Sequence, residues 1–136
     1  MAAPRLLPDE CYLEDAIRMA NHLLETQCSD GHWNFLYDRT EAEVGISEKG
    51  TAIWSVLFFR LYEETRAPAH LRAARKALQG CLNNRQADSS DSLAKDGIVG
   101  LSPASGVVYR RWFPLVCTYT MSFYGNALIA ELLSRR

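Results

Sequence analysis

Two segments of this 136-residue chain carry apolar side chains around nearly the whole of a helical circumference. From Ser47 through Thr65, the residues Ala52, Ile53, Trp54, Val56, Leu57, Phe58, Phe59, Leu61 and Tyr62 leave almost no polar face at 3.6 residues per turn. From Tyr119 to Ser134, Met121, Phe123, Tyr124, Ala127, Leu128, Ile129, Leu132 and Leu133 do the same. A helix apolar on every side needs neighbours on every side, so most of the remaining chain must serve as cover for these two.

The cover is readable. Leu13, Ile17, Ala20 and Leu24 recur at helical spacing with Glu14, Asp15, Arg18 and Glu25 off the stripe, which predicts an amphipathic helix from an Asp9 N-cap to about Gln27. Pro68 suits the first turn of another, in which Leu71, Ala74, Leu78 and Leu82 alternate with Arg72, Arg75, Lys76 and Gln79. The Ser47 hydroxyl is expected to cap the helix that follows it. Residues 85–118 read as a long loop, polar at Gln86 to Ser92, with short extended pieces or a hairpin expected at Ile98–Leu101 and Val107–Tyr109. The chain thus reads as one all-α domain over 1–136, with a flexible N-terminus at 1–8. Its order is amphipathic, apolar, amphipathic, apolar: two outer-inner helical hairpins. Two amphipathic helices cannot cover both inner ones, so an exposed apolar face is expected, and such faces mark interfaces.

Charge is balanced, 15 Lys and Arg against 16 Asp and Glu, which announces neither nucleic acid nor an anionic membrane as a partner. No apolar run approaches the roughly 18 residues of a spanning helix. Met1 to Pro8 lacks the apolar region of a secretory signal, so a cytoplasmic location is expected. The four cysteines, Cys11, Cys28, Cys81 and Cys117, are scattered and read as free thiols. No H-E-x-x-H, G-x-G-x-x-G, G-x-x-x-x-G-K-[ST] or G-x-S-x-G occurs, so no metal or cofactor is expected.

Gln27-Cys28-Ser29-Asp30-Gly31-His32-Trp33 has the form Q-x-x-D-G-x-W. It resembles the helix-end signature of α/α-toroid proteins, both the QW-type turn of terpenoid cyclases and the D-G-x-W turns of six-hairpin glycosidases. Gly50-Thr51-Ala52-Ile53-Trp54, then Phe59 to Thr65 and Pro68 to Ala74, is similar to the inner helix, turn and outer helix of six-hairpin sugar enzymes, in particular unsaturated glucuronyl and rhamnogalacturonyl hydrolases. The resemblance spans residues 9 to 134 and implies two hairpins of an (α/α) toroid, an incomplete six-hairpin barrel of about a third of a ring. Terpenoid-cyclase chemistry would call for a D-x-D-D motif, which is absent. A homo-oligomer through the exposed inner helices is expected; three copies would close a ring, while dimers are commoner.

In such a toroid the loops entering the inner helices share a rim, here Trp33–Lys49 and Gly97–Tyr119. The first side offers His32, Trp33, Tyr37, Asp38, Arg39, Glu41, Glu43, Glu48 and Lys49; the second offers Tyr109, Arg110, Arg111, Trp112 and Tyr119. Aromatic faces stack on sugar rings, guanidinium groups clasp carboxylates in paired hydrogen bonds, and a carboxyl of raised pKa can protonate a leaving oxygen. Asp38, beside Tyr37, is the first candidate acid and Glu48 the second; as plain structure, Asp38 is a solvated loop charge and Glu48 favours the positive end of its helix. The substrate-binding set is His32, Trp33, Tyr37, Tyr109, Arg110, Arg111, Trp112 and Tyr119, although Trp33 equally suits a packing anchor and the arginines equally suit ion pairs with Asp88, Asp91 or Asp96. The expected function is carboxylate acid/base chemistry on short uronic-acid-containing oligosaccharides. The alternative is a non-catalytic toroid module for oligomerisation or docking.

Overall fold

The computed structural model describes residues 10–35, 40, 45–85, 90–92, 95–98 and 118–135. The fold is all-helical, with α1 over Glu10–Thr26, α2 over Glu48–Thr65, α3 over Pro68–Asn83 and α4 over Thr118–Ser134. Each helix lies within a residue or two of where its periodicity placed it. Among the described residues the extended pairing amounts to two isolated antiparallel bridges, Asn34 with Ile46 and Arg85 with Ile98. No described helix is long and apolar enough to cross a membrane.

The α2–α3 hairpin is closed by a two-residue turn. Arg66 turns the chain in the left-handed region (φ 55°) and its N–H closes on the Tyr62 carbonyl, after which Pro68 opens α3. Thr65 stitches the corner: its hydroxyl donates to the Leu61 carbonyl at 2.7 Å and accepts the Ala67 N–H at 3.2 Å. His70 Nδ1 lies 3.0 Å from that same hydroxyl. Ala73, Ala74 and Ala77 of α3 are buried against Phe58, Phe59 and Leu61 of α2. With side chains that small the backbones approach closely enough for the buried Ser55 hydroxyl to donate to the Ala74 carbonyl across the interface at 2.9 Å.

A second cluster joins Ala52 of α2, Leu78 and Cys81 of α3, and Tyr124 and Ala127 of α4 around Ile98. The N-terminal half of α2 thus shares a cluster with the N-terminal half of α4, while Ala130 joins the cluster of Phe58 and Leu61 nearer the other end. The two apolar helices therefore run parallel, and α3, joined to α2 by a two-residue turn, runs against both.

Three expectations are modified. Ser47 occupies the N-cap position of α2 but makes no side-chain capping bond; its carbonyl instead accepts from the Thr51 N–H and hydroxyl, at 2.6 and 2.7 Å. The α1 stripe meets the core at Ile17, Ala20 and Leu24, with Ala16 and Leu23 beside them, but its first member Leu13 is exposed, because only the C-terminal part of α1 is tied down by the turn that follows it. In the expected loop, Ile98 is buried and its N–H points at Met121 Sδ, 3.1 Å away, so the chain is held against α4 at that point. The expected extended pieces beyond Ile98 lie outside the described residues.

Glu131 is the buried ion of α4. Its carboxylate accepts from Arg75 Nε at 3.1 Å and Arg135 Nε at 2.9 Å. Burial alone would raise its pKa, but the hydrogen bonds and positive charges of the two arginines outweigh that and hold it below the ordinary carboxylate value. Burial lowers the pKa of His70 below its ordinary 6.5, against a smaller opposing effect from the Leu61 carbonyl. Both shifts mean that the unfolded chain binds more protons as the solution is acidified. Stability is therefore expected to be lost in two limbs as pH falls, one starting near the ordinary His70 value of 6.5 and one below the ordinary Glu131 value of 4.5. Thermal melts from neutral to acid pH check this: Glu131→Gln should lower stability at neutral pH by about 1–3 kcal/mol and flatten only the second limb. An unchanged second limb would show that the Glu131 pairs contribute nothing.

Candidate functional site

The Q-x-x-D-G-x-W segment is a joint between α1, α2 and α3. Gln27 Nε2 donates to the Gly31 carbonyl inside the turn at 3.0 Å and to the Ala73 carbonyl of α3 at 3.1 Å. Gly31 has φ 101°, and a Cβ there would lie 2.0 Å from the Lys76 carbonyl oxygen. Gly80 faces it: a Cβ on that residue would meet the Gly31 carbon, the Asp30 oxygen and the His32 nitrogen at 3.1 to 3.2 Å. The turn thus lies directly on the backbone of α3, which needs glycine on both sides.

Trp33 completes the joint. Its ring stacks on Phe58, with centroids 6.0 Å apart and planes 15° apart, and its indole N–H donates to the Leu23 carbonyl in the last turn of α1 at 2.8 Å. Its backbone N–H reaches the Thr51 hydroxyl at 3.3 Å and its carbonyl accepts from Ser47 N at 2.7 Å. With the Phe35 N–H donating to the Gly45 carbonyl at 2.9 Å, these bonds tie the two sides of the first rim segment together where α2 begins.

Beside this joint lies a cavity of about 260 Å³. Trp33, Asn34 and Phe35 line one side, Ser47 and Trp54 another, and the end of α1 closes it with Thr26 and His22. Phe35 is 59% exposed. The described lining combines three aromatic rings with hydroxyl and amide groups and contains no Lys, Arg, Asp or Glu. It offers flat apolar faces edged by neutral hydrogen-bonding groups, the pairing suited to a ligand that has both an apolar face and hydroxyls.

Of the residues singled out from sequence, His32 and Trp33 are brought together but buried. His32 Nδ1 lies 2.7 Å from Asp30 Oδ1, and Trp33 forms the cavity wall as a packing anchor rather than an open platform. Glu48 opens α2 and Tyr119 lies in the first turn of α4, their side chains outside the described set. Tyr37, Asp38, Tyr109, Arg110, Arg111 and Trp112 lie outside the described residues. Sequence reasoning missed Phe35 and Trp54 as lining residues. Trp54 is hidden in an apolar run where every residue reads as core, whereas Phe35 alternates with Trp33 and Tyr37 in the first rim segment, a signal that could have found it. Among the described residues no group of three or more His, Cys, Asp and Glu side chains is placed to hold a metal ion. Cys81 is buried, and burial pushes its thiol up to about 12, which leaves it an inert core residue.

No family model, curated protein or solved structure matches the chain.

The joint predicts opposite signs for two glycine substitutions. Gly31→Ala sets a left-handed backbone and a collision with the Lys76 carbonyl against folding and should cost about 3 kcal/mol or more. Gly125→Ala in α4 meets nothing within 4 Å and should stabilise by about 0.5–1 kcal/mol. Chemical denaturation of the two variants measures both; a neutral Gly31→Ala would remove the joint from its structural role.

Proposed function

We propose that this chain is a carbohydrate-active, glycoside-hydrolase-like protein of the (α/α)-toroid type, cytoplasmic, acting on short uronic-acid-containing oligosaccharides. The observation that carries the reading is the aromatic-lined cavity at the base of the first rim segment, immediately before the inner helix α2. In this reading a sugar ring stacks at Phe35 and Trp54, Asp38 or Glu48 supplies the proton to the departing oxygen, and Arg110 and Arg111 clasp the uronate. Tyr37, Tyr109, Trp112 and Tyr119 add aromatic and hydroxyl contacts along the rim. The test is turnover of unsaturated uronyl disaccharides: Asp38→Asn should lower kcat about 10²- to 10⁴-fold with little change in KM. Turnover equal to that of the unsubstituted protein removes Asp38 from the chemistry.

One observation favours a second reading, a non-catalytic toroid module that docks through its inner helices. The outward face of α4 is apolar and open, with Leu128, Ile129, Leu132 and Leu133 all exposed.

A further inference from the structure

Two polar groups in the wall of the cavity between α1 and α2 have no task inside the protein. The Ser47 side chain makes no capping bond, and among the described residues neither its Oγ nor Trp54 Nε1 has a hydrogen-bond partner. Neither atom is sealed in the core, and both residues line the cavity. Gly50, in the first turn of α2, brings the two atoms together. A Cβ built on it would collide with Ser47 Oγ and would lie 3.5 Å from Trp54 Nε1. The Ser47 hydroxyl therefore occupies the place of the missing side chain, and it stands no farther from the indole nitrogen than about two hydrogen-bond lengths, the span that one bridging oxygen closes.

Both groups are held in place. The Ser47 N–H donates to the Trp33 carbonyl at 2.7 Å and its own carbonyl accepts from the Thr51 N–H at 2.6 Å, while the Trp54 ring packs against the cluster of Trp33 and Phe58. The indole N–H can only donate, whereas a serine hydroxyl both donates and accepts. A bridging hydroxyl uses the pair fully, accepting from Trp54 and donating to Ser47; a carboxylate oxygen would leave the serine lone pairs unused. We propose that Ser47 and Trp54 read one ring hydroxyl of the sugar seated in this cavity, with Gly50 as the residue that permits the pairing. This deepens the sugar reading above and rests on it for the class of ligand.

The probes are methyl β-D-glucopyranoside and methyl β-D-galactopyranoside, titrated into the full chain while the indole N–H resonances are followed by NMR, that of Trp54 being identified by its loss in Trp54→Phe. One of the two glycosides should move the Trp54 resonance. Its Kd should rise about 3- to 10-fold in Ser47→Ala, the effect of one lost hydrogen bond, and at least as much in Gly50→Ala, whose new methyl group displaces the hydroxyl. Among the monodeoxy analogues of that glycoside, one should bind Ser47→Ala and the unsubstituted protein equally well, because the hydroxyl that Ser47 reads is already gone. Should Gly50→Ala lose helicity by circular dichroism, Ser47→Ala and the deoxy series decide alone. A Trp54 resonance that neither glycoside moves, a Kd unchanged in Ser47→Ala, or a deoxy series weakened equally throughout by that substitution overturns the proposal. Turnover of unsaturated uronyl disaccharides separates it from the reading beneath it. Turnover with a KM that Ser47→Ala leaves unchanged removes the hydroxyl pair and keeps the hydrolase; glycoside binding at Trp54 without any turnover keeps the pair and removes the hydrolase.

Discussion

The contact on which the rest of this structure depends is the backbone approach of the Gly31 turn to α3. Helix α1 has only the C-terminal part of its apolar stripe against the core, so its position is set by what happens just after it ends. Two glycines, Gly31 and Gly80, remove the side chains that would hold the turn off α3. Gln27 then bonds across the gap to the Ala73 carbonyl. Once the turn is seated, Trp33 is delivered onto Phe58 with its indole N–H within reach of Leu23. The first bonds of α2, through Thr51 and Ser47, are made to Trp33 itself. Removing the close approach would therefore displace both the end of α1 and the start of α2, and with them the walls of the cavity between the two.

The α2–α3 interface works by the same logic of small side chains. Alanines at 73, 74 and 77 bring no bulk of their own, so the area buried between the helices comes from Phe58, Phe59 and Leu61 on the facing helix. The closeness this permits gives the buried Ser55 hydroxyl a carbonyl partner and so avoids the desolvation cost of burying it unpaired. The sharp corner at Arg66 and Pro68 is held by the shared Thr65 hydroxyl, which also lies within hydrogen-bond distance of His70 Nδ1. Local turn chemistry and tertiary packing point the same way here.

Much of the architecture was legible in the sequence because it is local. The bounds of all four helices follow from apolar periodicity and from Pro68. What was not legible depends on contacts between distant residues. Leu13 stays out of the core because the seating of the Gly31 turn, not the stripe alone, decides how much of α1 reaches it. Ser47 has the right residue type for a cap, yet its bonds are made by its backbone, a choice imposed by Trp33 and Thr51. The lining role of Trp54 is set by a gap between α1 and α2 that no pattern within α2 encodes. Trp33 had two readings from sequence, and the indole bond to Leu23 together with the Phe58 stack decides in favour of the anchor.

The two all-apolar helices show why a pattern specifies burial without specifying the neighbour. Helix α2 and helix α4 have the same circumferential signature, and both demand cover on every side. In α2 the demand is largely met within the chain: α3 and α4 flank it and the joint after α1 packs on Phe58, leaving Ile53, Val56 and Leu57 half-buried beside α4. In α4 it is met on one side only, by α2, α3 and the buried Ile98. The unmet side carries four large aliphatic residues and no charge that would keep it in water. A helix whose only purpose was to cap the structure would need polar residues on that face, as α3 has at Arg72, Lys76 and Gln79. The difference between these two outer surfaces is that α3 presents polar residues to solvent while α4 leaves an apolar face open.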